Sequence, residues 1–232
     1  MLIDSKPLLT NSWIVIPAWN EATRLPDVLK GLRSMPYQVV VVDDGSADAT
    51  AEIAKQAGVW VLRHLVNRGQ GAALRTGIDF AIKQGAATII TFDADGQHRA
   101  ADLPALTKPI EEGMADLVLG SRFLGSCPGI PVFRKLLLKL AVMFTRITTG
   151  LKLTDAHNGL RAMSHSAAAR IRFTEDGMAH ASQIISIAAR ERLRVQEIPC
   201  TISYSSQTLA KGQSNSAALA ILGRLVISRL TR

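Results

Sequence analysis

Apolar runs with no polar alternation recur through the first half of this chain, separated by apolar residues at helical spacing. Trp13 to Pro17 reads as one strand, and Leu25, Val28, Leu29 and Leu32 as the inner stripe of the helix behind it. Gln38 to Asp43 reads as a second strand, buried on both faces because nothing polar interrupts its four valines. Ser46 or Asp48 can cap the next helix, with Ile53, Ala54 and Ala57 inward. Val59 to Leu62 is a third strand, and a helix through Leu74, Ile78 and Ile82 leads to a fourth, Ala86 to Phe92. A helix with Leu103, Leu106 and Ile110 inward precedes a fifth, Leu117 to Gly120. Strand and helix alternating at this interval build βαβ units, so the spacing predicts an α/β fold with a mainly parallel sheet flanked by helices.

In such sheets ligands sit beyond the carboxyl ends of the strands. The polar clusters fall at those ends: Asn20-Glu21, Asp43-Asp44, Asn67-Arg68-Gly69, Asp93-Ala94-Asp95 and Ser121-Arg122. Asp93 and Asp95, followed by the amide of Gln97, offer hard oxygens that suit Mg²⁺ or Mn²⁺ and, through it, a diphosphate leaving group. The same stretch suits a turn at Asp95-Gly96 with Asp93 capping the following helix. It does not suit an EF-hand, because Pro104 stands where the loop needs Glu. Asp43 and Asp44 can accept from a base N–H or a ribose hydroxyl, or make a turn and helix cap. Trp19 offers a ring face to a nucleobase, and Asn67 to Ala72 opens a helix with glycines, allowing a close backbone approach. Those glycines follow the third strand and not the first, which argues against a dinucleotide-binding enzyme.

After Arg122 the rhythm breaks. Phe133, Leu136, Leu137, Leu140, Phe144 and Ile147 lie at helical spacing, with Arg134, Lys135, Lys139 and Arg146 around them. A basic amphipathic helix over about residues 131–149 suits a membrane interface; it also suits a helix packed on the sheet with its cations in water. A short strand at Leu160 to Met163, a helix with Ile184, Ile185 and Ala188 inward, and an edge strand from Val195 to Tyr204 follow. Charge is divided unevenly. Residues 1–116 carry 11 Lys and Arg against 14 Asp and Glu, whereas residues 117–232 carry 16 against 5. No acid lies between Asp116 and Asp155, which points to a polyanionic partner. Nucleic acid is disfavoured, since only 5% of residues are aromatic and none interleave with the basic runs. Two cysteines suggest a reducing compartment, and the first residues lack a signal-peptide layout, so a cytoplasmic location is expected.

Pro17-x-x-Asn20-Glu21, Asp43-Asp44-Gly45-Ser46, Asn67-x-Gly69-x-Gly71-x-Ala73, Asp93-Ala94-Asp95-Gly96-Gln97 and Gly120-Ser121-Arg122 form an ordered set. Together they resemble the family 2 glycosyltransferases of GT-A fold, Rossmann-like, over about residues 12–205. With Asp155-x-x-Asn158-Gly159-x-Arg161, they look most like the polyprenyl-phosphate sugar synthases, the dolichol-phosphate mannose synthase group among them. The resemblance implies a catalytic domain at residues 1–205, then a lid loop and an amphipathic helix at 206–232. It implies that Asp93, Asp95 and Gln97 hold the metal, and that Pro17, Trp19, Glu21 and Asp43 line the nucleoside pocket. Asp44, Asn67, Gly71, Ala94 and the lid residue Lys211 fall on the side of the donor, a GDP- or UDP-sugar. Arg122 is expected at the diphosphate or acceptor, Arg134 at an acceptor phosphate, and Asp155 as the residue that positions the acceptor or a neighbouring cation. Asp95, Asp155 and Arg122 are thus the candidate catalytic set. The implied activity is inverting transfer of a sugar to a polyprenyl phosphate by a peripheral enzyme on the cytoplasmic membrane face. A transferase using a sugar hydroxyl as acceptor would instead need a base, for which Glu175-Asp176 and His180 are candidates.

Overall fold

The computed structural model describes residues 11–204. In chain order the elements are β1 (Ser12–Ala18), α1 (Leu25–Leu32), β2 (Gln38–Asp43), α2 (Thr50–Gln56), β3 (Trp60–Arg63) and α3 (Gln70–Lys83). Then come β4 (Thr88–Thr91), α4 (Leu103–Glu111), β5 (Leu117–Ser126), α5 (Val132–Thr149), β6 (Arg161–Ser164), α6 (His165–Arg170), α7 (His180–Arg190) and β7 (Val195–Thr201). The strands form one sheet in the order β3-β2-β1-β4-β6-β5-β7. All pairings are parallel except those of β6, which runs antiparallel to both β4 and β5.

Burial explains the unbroken apolar runs. Along β1, Trp13 and Val15 join a core with α3, α6 and α7, while Ile14 and Ile16 join a second core with α1 and α4. The central strands β1, β2 and β4 thus carry large aliphatics on both faces, each fully buried side chain stabilising the fold by about 1.5–3 kcal/mol. Helix α3 lies flush on the sheet because Gly77 has no Cβ, which would overlap Val15 and press on Val42. Edge strand β7 carries Pro199 and pairs with β5. That pairing carries β5 on to Ser126, beyond the Gly120 end expected from the apolar run.

Most of the predicted apolar stripe of α5 faces outward. Leu137, Ala141, Val142 and Thr145 are the residues it buries. Of that stripe, Leu137 alone is buried, whereas Phe133, Leu136, Leu140 and Ile147 are exposed. Apolar periodicity gives the axis of a helical face but not which way that face turns. Among the described residues no helix is long and apolar enough to cross a membrane. Lys211 and the stretch expected to form a C-terminal amphipathic helix lie outside the described residues.

Candidate active site

Parallel strands β1, β2, β4, β5 and β7 deliver their carboxyl ends to one edge of the sheet. Antiparallel β6 enters that edge with its amino end, which brings the 155–160 loop to the same place. A cavity of about 550 Å³ opens there. It is lined by Pro17, Trp19, Glu21, Asp44, Asn67, Asp93, Ala94, Asp95, Gln97, Arg122 and Arg134 among the predicted residues. Asp43, Gly71 and Asp155 do not line it, and Lys211 lies outside the described residues. A second cavity of about 600 Å³ opens at the opposite edge, among α1, α2 and the amino ends of β2 and β3, away from all these groups.

At one end of the site the residue 17–21 loop is fixed by cross-links to the loop after β2. Asn20 adopts φ 53°, a left-handed conformation that Asn tolerates, and its Oδ1 accepts from Ala47 N–H at 2.9 Å. The N–H groups of Asn20 and Glu21 donate to Ser46 Oγ and Thr50 Oγ1. Trp19, half exposed, is thereby held with its ring at the cavity. Asp43 is fully buried, its Oδ1 accepting from Ser46 N–H at 3.0 Å and its Oδ2 lying 3.0 Å from Arg63 Nε. Asp44 is also engaged: it accepts from the N–H groups of Arg68 and Gly69 at 3.0 and 2.7 Å and pairs with His64 Nδ1.

The glycines of the turn before α3 make room for protein and not for an open anion site. A Cβ on Gly69 or Gly71 would overlap the backbone of Glu175 and Asp176. The Asp176 carbonyl accepts from Gly71 N–H at 2.7 Å and Ala72 N–H at 3.3 Å, so it caps the amino end of α3. Close backbone approach was legible in the sequence; its occupant was not.

At the centre, Gln70 Nε2 donates to Asp93 Oδ1 at 2.9 Å, and His98 Nε2 lies 2.9 Å from Asp93 Oδ2. A Cβ on Gly159 would overlap that carboxylate. Burial alone would raise the Asp93 carboxyl. The hydrogen bond from His98, with the positive field of His98 and Arg161, instead brings it below the usual range. Asp95 moves the other way, raised by burial and then by the Asp93 charge. Two carboxylates that repel one another in a partly dry site, both hard oxygen donors, fit a divalent cation. Among the described residues no group of three or more His, Cys, Asp or Glu converges to hold a metal, so the pair would supply only part of a coordination shell. Gln97 lines the cavity beside them, its N–H bound to Asp95 Oδ1 at 3.0 Å.

The far end is basic. Arg122 is almost wholly buried and fully committed. Its Nε donates to Asp155 Oδ2 at 2.6 Å, its Nη1 to the Tyr204 hydroxyl, and its Nη2 to the His157 carbonyl at 2.9 Å. Asp155, 1% exposed, serves this clamp and accepts from the backbone of Arg122 and His157. Arg134 stacks its guanidinium over the Tyr204 ring, 5.4 Å from the centroid. Arg161 is buried behind Asp93, its pKa lowered to about 10 by desolvation. His157 and His180 are each lowered to about 4, first by burial and then by Arg161, so both rings are neutral.

Several contributors carried no local signature. Met178, Ile202 and Tyr204 line the cavity from segments distant in sequence, while Arg24, Gln70 and His157 line it from beside or within the motifs without being singled out there. None of the candidate bases of the hydroxyl reading, Glu175, Asp176 and His180, lines it. Asp176 pairs with Arg75 on the outside, and His180 binds the Gly177 carbonyl.

Comparison with known proteins agrees with this geometry. A polyprenol monophosphomannose synthase from Mycolicibacterium smegmatis is 30% identical over 85% of this chain and 79% of its own. A UDP-N-acetylglucosamine–dolichyl-phosphate N-acetylglucosaminyltransferase from Methanococcus voltae is 28% identical over 94% and 96%. The fold matches the crystal structure of glucosyl-3-phosphoglycerate synthase from Mycobacterium tuberculosis in complex with Mn²⁺ and UDP-glucose. The TM-score is 0.72 at 18% identity, over 95% of this chain and 78% of that one. The profile described as Glycosyl transferase family 2 matches residues 13–172, which hold the residue 17–21 loop, both acidic strand ends and the 155–160 loop. A GT-A sheet, those motifs and that match together make the chain a member of glycosyl transferase family 2, a nucleotide-sugar-dependent glycosyltransferase.

Proposed function

We propose that the chain transfers a sugar, with inversion, from a nucleoside diphosphate donor to a polyprenyl phosphate at the cytoplasmic face of a membrane. The observation that carries this reading is the state of the charged groups in the cavity. Glu21 pairs with Arg24, Asp44 with His64 and Arg122 with Asp155. Arg134 alone among the cavity-lining arginines has no carboxylate partner among the described residues; its guanidinium lies over the face of Tyr204. A cation so placed fits an acceptor phosphate, which is anionic at neutral pH and needs alignment more than a protein base. Neither Asp176 nor His180 lies at the cavity to deprotonate a sugar hydroxyl.

In this reading Trp19 stacks the base, Asp93 and Asp95 with Gln97 hold Mg²⁺ or Mn²⁺, and Arg122 positions the Asp155–His157 loop beside the acceptor. The cation, when bound, offsets the charge of the departing diphosphate. The exposed side of α5 supports a membrane location. Phe133, Leu136, Leu140, Met143 and Ile147 stand outward there, interleaved with exposed Lys135, Lys139 and Arg146. The polyprenyl-phosphate relatives named above support the acceptor class. The test is transfer from UDP- and GDP-sugars, with Mn²⁺ or Mg²⁺, to a short polyprenyl phosphate, giving a product that mild acid cleaves to free sugar. Indifference to polyprenyl phosphates, with extension of a sugar-terminated acceptor, would overturn it.

A further inference from the structure

Behind the nucleoside end of the site lies an array the chemistry above does not use. His64, at the end of β3, has a side chain only 10% exposed. Its Nδ1 lies 2.6 Å from Asp44 Oδ1 and its Nε2 lies 2.9 Å from Thr76 Oγ1 on α3. With the proton on Nδ1, both contacts are satisfied at once: the ring donates to Asp44, and Nε2 accepts from the threonine hydroxyl. The His64 N–H also donates to the Asp43 carbonyl at 2.9 Å, so main chain and ring both anchor to the end of β2.

Asp44 has three donors: this ring and the N–H groups of Arg68 and Gly69. Those two N–H groups belong to the turn that presents Asn67 and Gly69 to the cavity. Gly69 holds φ 101°, a conformation side chains rarely adopt, so the turn needs external ties to keep its shape. Val66 and Asn67 also press against Gly45, where a Cβ would meet their backbone at 2.6–2.7 Å. Gln70, next after the turn, donates to Asp93. The position of the Asp44 carboxylate therefore sets the turn at the donor end and, one residue on, a contact of the metal pair.

We propose that His64 is a positioning residue for the nucleotide donor, holding Asp44 where it shapes the Asn67–Gly69 turn, with Thr76 fixing the ring. The inference rests on the donor-site reading above, and its test separates the two. Three variants are compared with the native chain: His64→Leu, which removes both ring contacts; His64→Asn, whose amide can still donate to Asp44; and Thr76→Val, which removes the second contact only. Hydrogen exchange at the Arg68 and Gly69 amides, read without ligand, should quicken at least tenfold in His64→Leu and recover in His64→Asn. Calorimetry with UDP and GDP in Mn²⁺ should show Kd raised about tenfold in His64→Leu, the size of one charge-assisted hydrogen bond. The acceptor KM should stay unchanged, and Thr76→Val should fall between. Unchanged exchange at residues 68–69 in His64→Leu would overturn the positioning role, whatever nucleotide binds. Native protein that binds neither diphosphate would overturn the donor reading instead, while exchange still decides the role of His64. A uniform loss of protection across the sheet in His64→Leu, without recovery in His64→Asn, would mark the ring as general support of the fold and also overturn the proposal.

Discussion

Lowering the pH from 8 to 5 should cost this fold stability through two rings. His157 and His180 sit at about 4 in the folded chain, against about 6.5 when unfolded. Burial is the first cause for both and Arg161 the second; Asp155 for His157, and the Gly177 carbonyl and Asp93 for His180, oppose them. Between those two pH values the unfolded chain binds protons that the folded chain refuses, so stability rises with pH. It is fully present above about pH 6.5 and is lost as pH falls towards 4. Linkage puts the loss at pH 5 at about 2 kcal/mol per ring. Urea denaturation at pH 8, 6 and 5 measures it, comparing native chain with His157→Gln and His180→Asn, which keep polar contacts but cannot titrate. The carboxylates contribute alike to every curve, so the difference isolates the rings. Each variant should lose about 2 kcal/mol less than the native chain between pH 8 and 5. Stability curves of native chain and variants that run parallel would refute the argument that Arg161 and burial hold the rings neutral.

Three further outcomes are expected. Asp95→Ala should leave the fold intact and reduce transfer by roughly a hundredfold or more, with calorimetry showing weaker metal-dependent diphosphate binding; equal affinity with and without metal in the native chain would count against a metal pair. Arg134→Ala should raise the KM for a polyprenyl phosphate while leaving the donor KM within about twofold, and an equal rise in both would place the arginine elsewhere. Changing Lys135, Lys139 and Arg146 together to Glu should release the protein from anionic vesicles in sedimentation, each cation contributing about 1 kcal/mol at modest salt. Binding that ignores both the triple change and high salt would leave α5 as a packing helix only.

The parallel part of the sheet was legible because strands buried on both faces must be written in unbroken aliphatics, as Val39 to Val42 are. Most of the cavity followed, since carboxyl ends of parallel strands share one edge. What was not legible depends on partners far apart in sequence. The direction of β6 leaves no mark in its four residues, yet it decides that the 155–160 loop, and not the one after β6, faces the site. Arg122 looks like a ligand cation in sequence; Asp155 and Tyr204, 33 and 82 residues away, make it a buried clamp. Asp44, expected against the donor, is occupied by a turn and a histidine about 20 residues on.

The cap on α3 has a consequence for synthesis. The amino end of that helix is closed by the carbonyl of Asp176, more than 100 residues later in the chain. A ribosome releases β1 to β4 first, and these can pair as they emerge. The glycine turn beside the cavity must wait, with open N–H groups, until the segment before α7 has left the exit tunnel. Nascent chains stalled short of Asp176 would therefore hold a formed half-sheet whose cavity still lacks its capped turn, and the finished cavity would arrive in one late step.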